Sequence, residues 1–303
     1  MVKNNQNLTK MYNDITIVIV CYKSYKLIKK NFGVLKNFKS IIVDNSNCKK
    51  TYKLVKDCDN IKFIETAYNL GYGKANNLAI SNANTEFVLI LNPDIIIDAF
   101  EIESLYLKIS EYKNIGILAP SLYSQNNERR TNGSRSYLTK NLFKRKKKTN
   151  NFADGDTCYD YVIGCAMLIK RDFFNEIGGF DDDFFMYFED NEICDRVYKY
   201  NKVVIETPIS KMIHMEGEST EKSFIINCKL SIIHKISEFI YLNKNLSKFN
   251  TYKNLIIQLV DFIQRMIFNF LLFKFKKSFK NFLIILSIAL YVTSLYKLVY
   301  NLW

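Results

Sequence analysis

Residues 15–46 read ITIVIVCYKSYKLIKKNFGVLKNFKSIIVDNS, and this stretch decides the fold. It opens with an apolar, β-branched run over 15–21, continues with a helical pattern over about 25–36, and returns to an apolar run over 40–44. A strand, a helix and a second strand in this order are typical of a parallel sheet with helices on both faces. Polar residues follow both apolar runs, with Tyr22 after the first and Asn45-Ser46 after the second.

The same alternation continues toward the C-terminus. Further strands are predicted at 61–66, 86–91, 115–120, 161–170, 203–206 and 209–213, and helices at 49–56, 73–81, 99–112, 171–177, 189–200 and 223–242. The sequence therefore predicts an α/β fold with a Rossmann-like, mostly parallel central sheet flanked by helices. We expect a polar N-terminal extension at 1–13, one α/β domain at 14–243, and a helical tail at 244–303.

Polar residues mark the edge where the carboxyl ends of parallel strands meet and ligands bind. Asp44 could accept a hydrogen bond from the ring N–H of a pyrimidine base, with a strand-ending Asx turn as the alternative. Asp94 ends an Asn-Pro-Asp sequence that is commonly a plain turn, but at this edge it could hold Mg²⁺ or Mn²⁺ against a diphosphate. The stretch 69–77 reads NLGYGKANN, whose glycines would let backbone approach a ligand and start a helix near phosphates.

The stretch 178–196 carries seven carboxylates and five aromatic rings. Clustered acids among apolar residues repel one another and resist ionisation, so the stretch indicates a functional site, with a solvated acidic helix start as the alternative. The two histidines differ. His214 follows a strand and precedes a loop, where it could bind a metal or simply face solvent, whereas His234 falls in the apolar periodicity of a helix and is expected in the core.

Composition sets further limits. The hydrophobic content of 48% excludes a disordered chain, and seven cysteines without a C-x-x-C pair indicate neither a zinc site nor a disulfide framework. The formal charge of +13 is concentrated in two segments, 128–148 and 244–303, each with nine Lys/Arg against one acid. This segregation favours anionic lipid or a phosphate-bearing substrate and argues against nucleic acid as a partner.

The tail has a distinct pattern. Over 254–273 the polar residues recur at spacings of three and four, which gives one polar stripe on an apolar helix, and four lysines and an uncharged run over 281–296 follow. An interfacial amphipathic helix with a basic collar is the preferred interpretation. A re-entrant hairpin, a single membrane span and a packed helical subdomain remain alternatives.

The ordered motifs resemble those of the inverting family-2 glycosyltransferases with a GT-A fold, in particular the bacterial rhamnosyltransferase-like branch. The resemblance covers about 14–220 and rests on the order of the motifs VIVCY, VDNS, NLGYGKANN, LNPD, GCAMLIKR, GGFDDDFFMYFED and a late histidine. Two departures are Glu192, where relatives usually carry Asp, and Cys165-Ala166, which transposes a frequent Ala-Cys.

The resemblance implies roles for individual residues. Asp190 would be the general base, with Glu189 beside it, and Asp94 and His214 would bind a divalent cation, Mn²⁺ or Mg²⁺. Asp44 would bind the nucleotide base, and Arg196 would orient the acidic pair or meet the diphosphate. The expected nucleotide-sugar-binding residues are Cys21, Tyr22, Asp44, Asn69, Gly71, Asn77, Asn92, Asp94, Gly164 and Arg196.

The expected function is transfer of a sugar from a pyrimidine nucleoside-diphosphate sugar (dTDP-rhamnose or a UDP-hexose) to a hydroxyl of a glycan acceptor, which we expect to be lipid-linked, in cell-surface polysaccharide synthesis. The expected location is the cytoplasmic face of the cell membrane, as a peripheral or monotopic protein on an anionic surface. A membrane-surface protein that binds a nucleotide sugar without turnover is the alternative.

Overall fold

The computed structural model describes residues 10–46, 48–135, 152–215, 217 and 223–294. The basic loop expected around 144–148 lies outside the described residues, as does the end of the tail. The strands are β1 Ile15–Cys21, β2 Lys39–Asp44, β3 Ile61–Glu65, β4 Phe87–Leu91, β5 Ile95–Ile96, β6 Ile115–Tyr123, β7 Arg129–Arg130, β8 Gly133–Ser134, β9 Thr157–Cys158, β10 Tyr161–Val162, β11 Ala166–Lys170 and β12 Val203–His214. The helices are α1 Tyr25–Leu35, α2 Lys49–Val55, α3 Tyr72–Ser81, α4 Ala99–Ile109, α5 Arg171–Glu176, α6 Glu189–Lys199, α7 Phe224–Asn245, α8 Lys248–Leu271 and α9 Phe275–Val292.

The predicted elements occur within a few residues of their expected bounds, with two differences. The single strand expected over 161–170 is interrupted between β10 and β11, which leaves Gly164 outside the strands. The two short strands expected over 203–213 are one strand, β12, whose register against β6 shifts between Thr207 and Lys211. Both differences fall beside the predicted site.

The central sheet is mixed but mostly parallel, in the order β3-β2-β1-β4-β11-β6-β12-β5. The strands β1, β2, β3 and β4 are parallel, and β12 is parallel to β6. The strand β11 runs antiparallel to both of its neighbours, β4 and β6. This arrangement confirms the predicted α/β sheet and brings the ends of β1, β2 and β4 to one edge.

Two apolar clusters cover the two faces of the sheet, because successive strand side chains point to opposite sides. Ile17 and Ile19 of β1 contribute to one cluster, together with residues of α1 and α4. Val18 and Val20 contribute to the other, together with residues of α3, α5 and α6. Since Ile17 is fully buried, its truncation to Ala would cost about 2–5 kcal/mol of stability.

The chain divides into two compact units. One comprises 1–181 and 189–220, and the other comprises 182–188 and 221–303. The helix α7 therefore belongs with α8 and α9, and this unit begins earlier than the tail expected from residue 244. Ring contact between Phe239 of α7 and Tyr291 of α9, at 5.5 Å, is one of the interactions within it.

One residue of the polar stripe of α8, Gln258, contacts α7. Gln258 accepts a hydrogen bond from Lys235 Nζ at 2.8 Å and donates one to Glu238 at 2.8 Å. The opposite side of α8 is exposed and apolar, with Ile256, Ile263 and Ile267 between 37% and 61% exposed. A surface helix of a soluble domain instead packs its apolar side against the protein and exposes its polar side to water. Among the described residues α8 is also the helix long and apolar enough to cross a membrane.

Candidate active site

The carboxyl ends of β1 and β2 lie side by side at the predicted edge. Cys21 is the register partner of Asp44, and the N–H of Asn45 donates to the carbonyl of Cys21 at 2.9 Å. The Cys21 side chain is buried, and burial, followed by the negative charge of Asp44, raises the pKa of its thiol well above the ordinary value. Cys21 is therefore a neutral thiol that shapes the edge, and the partly exposed Tyr22 follows it.

Asp44 forms the Asx turn that the sequence left as an alternative. Its carboxylate accepts hydrogen bonds from the N–H of Ser46 at 2.7 Å, the hydroxyl of Ser46 at 2.6 Å and the N–H of Cys48 at 3.2 Å. The residue is fully buried. The expected contact of Asp44 with a nucleotide base stays a prediction, since a carboxylate can accept about four hydrogen bonds and three are present here.

The loop after β3 is held in place by two asparagines. The Asn69 side chain accepts a hydrogen bond from the N–H of Gly71 at 3.0 Å, and Asn45 donates to the carbonyl of Gly71 at 3.0 Å. Gly71 precedes α3 with a φ of 83°, a conformation that a residue with a Cβ rarely adopts. The loop thus enters α3 in one defined geometry.

The rest of this motif packs against the loop that precedes the acidic pair. The Asn77 amide forms two hydrogen bonds with the backbone of Phe180, donating to its carbonyl and accepting from its N–H, both at 2.8 Å. A Cβ on Gly73 would lie 3.0 Å from the Cβ of Phe180. In this structure Gly73 and Asn77 therefore support Phe180, and the expected contact of Asn77 with the nucleotide sugar stays a prediction.

Asp94 and His214 come together at the end of the sheet. His214 is the register partner of Ile95, next to Asp94, and its Nε2 lies 3.4 Å from Asp94 Oδ1. The N–H of Met215 donates to the carbonyl of Asp94 at 2.9 Å. Asp94 is buried and His214 is partly exposed, so a carboxylate and an imidazole meet where the chain reaches solvent.

These residues fit a divalent cation that a substrate helps to bind. Within the described residues no group of three or more His, Cys, Asp or Glu side chains could enclose a metal ion. The side-chain oxygen of Asn92, however, is buried and accepts no hydrogen bond. Mg²⁺-type sites usually combine one or two carboxylates with substrate phosphates and water. Asp94, His214 and Asn92 would supply the protein part of such a site.

The acidic pair begins α6. The Asp190 carboxylate accepts hydrogen bonds from the N–H of Gly164 at 3.1 Å and of Asn191 at 2.8 Å. Gly164 lies in the gap between β10 and β11, and its carbonyl accepts a hydrogen bond from the Tyr72 hydroxyl. A Cβ on Gly164 would lie 3.4 Å from the Cβ of Asp190.

Burial dominates the electrostatics of this pair. It raises the pKa of Asp190 above the ordinary value, although the N–H groups of Gly164 and Asn191 act in the opposite direction. Burial, and then the charge of Asp190, raises the pKa of Glu189 well above its ordinary value. One oxygen of Glu189 is buried without a hydrogen-bond partner. A carboxylate whose pKa is raised toward neutrality is suited to general base catalysis.

Arg196 supports the glycine turn before the pair. Its guanidinium binds the Glu192 carboxylate at 2.6–2.7 Å and donates to the carbonyls of Ile177 and Gly179. Gly178 and Gly179 have positive φ angles of 87° and 67°. These bonds reach neither Glu189 nor Asp190, so the two roles predicted for Arg196, orienting the acidic pair or meeting the diphosphate, stay predictions.

Of the three aspartates 181–183, Asp181 belongs to the first unit and the other two belong to the second. Asp183 lies in the second unit, where its carboxylate pairs with Lys244 at 2.8 Å. His234 is also in this unit and is exposed on α7, with its ring 5.2 Å from that of Tyr187 and 5.3 Å from that of Phe188. The expected core position of His234 is therefore wrong, because its ring covers two aromatic residues from the outside.

Tyr72 and Asn45 are site residues that the sequence did not single out. Tyr72 lies between the two glycines of the NLGYGKANN motif, and Asn45 follows Asp44 directly. The sequence signal that could have pointed to these two residues was their position inside recognised motifs. Their partners, Gly164 and Gly71, are distant in the chain and could not be read from it.

One family model matches more than half of the chain and therefore identifies the family. Residues 16–178 match the sequence model of Glycosyl transferase family 2, and 146–218 match that described as the N-terminal domain of galactosyltransferase. The low-salt glycan biosynthesis hexosyltransferase Agl10 of Haloferax volcanii is 29% identical over 214 residues, 67% of this chain and 68% of the relative. The N-acetylglucosaminyl-diphospho-decaprenol L-rhamnosyltransferase of Mycobacterium tuberculosis is 24% identical, over 59% of this chain and 67% of the relative.

Solved structures support the fold. The mannosyltransferase PcManGT from Pyrobaculum calidifontis, in complex with GDP-Man and Mn²⁺, has a TM-score of 0.54 at 12% identity, covering 93% of this chain and 74% of that one. GalNAc-T7 with UDP, GalNAc and Mn²⁺ has a TM-score of 0.52 at 14% identity, covering 77% of this chain and 51% of that one. The chain belongs to glycosyl transferase family 2 and is a glycosyltransferase with a GT-A fold.

Proposed function

We propose that this glycosyltransferase is metal-dependent and inverting, and that it moves a sugar from a pyrimidine nucleoside-diphosphate sugar to a hydroxyl of a glycan in cell-surface polysaccharide synthesis. The observation that carries the proposal is the partly exposed Asp190 carboxylate, oriented by Gly164 and joined through the backbone to the edge that bears Asp94. The names of the relatives, a hexosyltransferase and a rhamnosyltransferase, support a UDP-hexose or dTDP-rhamnose as the donor.

Asp190 acts as the general base. Its carboxylate takes the proton of the acceptor hydroxyl while that oxygen attacks the anomeric carbon. The new carbon–oxygen bond forms as the bond to the diphosphate oxygen breaks, and its electron pair leaves with the nucleoside diphosphate. The reacting carbon passes through an oxocarbenium-like transition state, and a single displacement inverts its configuration.

Asp94 and His214, with the Asn92 oxygen beside them, would hold a divalent cation together with the donor diphosphate. When bound, the cation offsets the negative charge on the leaving nucleoside diphosphate. The Mn²⁺ in the complexes of PcManGT and GalNAc-T7 supports this assignment by analogy of fold.

The second unit suits attachment to a membrane. The exposed apolar side of α8 continues on α9 with Phe275, Phe279 and Phe282, each about half exposed. Basic residues lie close by, among them Lys276 and Lys277, and each lysine near an anionic bilayer contributes about 1 kcal/mol of binding. An apolar side flanked by positive charge is complementary to an anionic leaflet.

The helix α8 fits an in-plane arrangement better than a span. The Asp261–Arg265 ion pair, with N···O at 2.9 Å, lies near the middle of α8, and both side chains are about half exposed. In a span this pair would sit near the hydrocarbon centre, where each charge costs roughly 2.5–3.5 kcal/mol or more. We therefore propose a monotopic protein on the cytoplasmic face.

A lipid-linked glycan is the acceptor that fits this location. A relative named for a decaprenol-linked substrate supports this acceptor class. The alternative is a membrane-surface protein that binds the nucleotide sugar without turnover, and product formation separates the two. The full-length protein is incubated with UDP-hexoses or dTDP-rhamnose, Mn²⁺ and a polyprenyl-diphosphate sugar. Release of nucleoside diphosphate together with a glycosylated lipid of inverted anomeric configuration is expected. Tight donor binding with neither product would establish the alternative.

A further inference from the structure

Both sides of Gly164 are fixed by side chains from other parts of the fold. Its N–H donates to Asp190 Oδ2 at 3.1 Å, and its carbonyl accepts from the Tyr72 hydroxyl at 2.5 Å. Gly164 is in the short gap between β10 and β11, where no strand pairing holds it. These two hydrogen bonds act on Gly164 itself. Its neighbours are also held, because the N–H of Ile163 donates to the carbonyl of Asn132 and the carbonyl of Cys165 accepts from the N–H of Asn92, both at 2.8 Å.

The position of the Tyr72 ring is itself determined by its surroundings. Tyr72 is the first residue of α3, directly after Gly71 with its positive φ. Its ring lies against that of Phe180 in an edge contact, with centroids 6.0 Å apart. Asn77, five residues further along α3, binds both backbone polar groups of Phe180. The hydroxyl of Tyr72 is thus presented to Gly164 by a rigid arrangement.

We propose that Tyr72 is a positioning residue for the general base, acting through the backbone of Gly164. The inference rests on the proposed role of Asp190, and it assigns the NLGYGKANN motif to the base rather than to the phosphates. Tyr72 does not touch the reacting atoms. It holds the Gly164 carbonyl, which belongs to the peptide unit next to the one whose N–H orients the carboxylate.

Hydrogen-bond physics gives this arrangement two consequences. An N–H aimed at a carboxylate stabilises its charged form, so a loosened Gly164 would raise the pKa of Asp190 further. The carboxylate would also sample more orientations, and small displacements of a catalytic group reduce the rate strongly. Burial and the nearby Glu189 raise the pKa of Tyr72 well above its ordinary value, so its hydroxyl stays a donor throughout the working pH range.

Other titratable groups also face Asp190 and are unchanged by removal of the Tyr72 hydroxyl. They are Glu189 and Cys194 on its own helix and Tyr161 on β10. A shift in the pH profile of a Tyr72→Phe variant would therefore report the lost link to Gly164. The ring and its contact with Phe180 remain in that variant, which keeps the packing of α3.

The test compares Tyr72→Phe with Tyr68→Phe, an exposed tyrosine four residues away, in the full-length protein with donor, acceptor and Mn²⁺. For Tyr72→Phe we expect kcat about 10-fold lower, an unchanged KM for the donor, and an acid limb of the kcat–pH profile displaced upward by about half a pH unit or more. Tyr68→Phe should match the wild type in all three quantities.

Two results would overturn the inference. One is a Tyr72→Phe variant with wild-type kcat and pH profile, whatever its melting temperature, because Tyr72 would then be merely structural. The other is normal turnover by Asp190→Asn, measured in parallel, because no base would be left for Tyr72 to position. If Tyr72→Phe behaves like the wild type while Asp190→Asn is inactive, only the role of Tyr72 is excluded. If Asp190→Asn turns over normally, the proposed role of Asp190 is excluded as well.

Discussion

The backbone N–H of Gly164 lies 3.1 Å from Oδ2 of Asp190 and donates a hydrogen bond to it. Gly164 is followed by Cys165, whose carbonyl accepts a hydrogen bond from the N–H of Asn92 at 2.8 Å. Two consecutive residues therefore connect the proposed base with the sheet edge that carries Asp94. This connection explains how residues almost 100 positions apart in the chain can serve one reaction.

Because the pKa of Asp190 is raised, we expect kcat to decline on the acid side of its pH profile. The base must be ionised to accept a proton, and burial raises its pKa above the value of about 3.9 for an exposed aspartate. We expect kcat at saturating donor to fall as pH decreases through this raised pKa, which belongs to the coupled pair with Glu189. A kcat that stays constant down to about pH 4 would contradict this prediction.

Glu189 predicts how stability changes with pH. Its folded-state pKa lies above its unfolded-state value, so its contribution to stability is present at low pH and is lost as pH rises through the folded-state pKa. Glu189→Gln removes this loss. The melting temperature of the variant minus that of the wild type should therefore become larger as the pH is raised from 5 to 8. The exposed Glu176→Gln serves as the control, and a difference independent of pH would show that Glu189 ionises normally.

The pairing of Asp94 with His214 predicts which variants weaken metal activation. Asp94→Asn and His214→Ala should raise the Mn²⁺ concentration for half-maximal activity by about 10-fold or more, because each removes a ligand or its charge. His234→Ala is the matched control, since His234 lies on α7 in the other unit. Unchanged Mn²⁺ activation in both site variants, measured by titration after EDTA treatment, would exclude this metal site.

The apolar side of α8 predicts the depth of two probes in a bilayer. Ile256→Trp and Ile267→Trp, each combined with Trp303→Phe, place a single tryptophan at exposed positions about 16 Å apart along the helix. Quenching by brominated lipids in anionic vesicles should give similar depths for both if α8 lies in the plane of one leaflet. Depths that differ by about the full separation would indicate a span, and no quenching with self-association in buffer would indicate a protein interface.

Much of the fold could be predicted from local patterns, whereas the contacts within the site could not. The apolar runs ending at Cys21, Asp44 and Leu91 predicted the sheet edge, because strand periodicity is a local property. The support that Asn77 gives Phe180 was not predictable, because it joins residues 103 apart. Likewise, the polar stripe of α8 was visible in the sequence, but only its contact through Gln258 with Lys235 reveals which side faces the protein.

The measurement that tests the central claim most directly is turnover by Asp190→Asn at an equal level of donor binding. This nearly isosteric change keeps an oxygen for the Gly164 N–H but removes the base, whose contribution is typically 10²–10⁴-fold in rate. Donor affinity, measured by titration calorimetry with Mn²⁺, should stay close to wild type while kcat falls by about that factor. Wild-type turnover with the true donor and acceptor would contradict the role of Asp190.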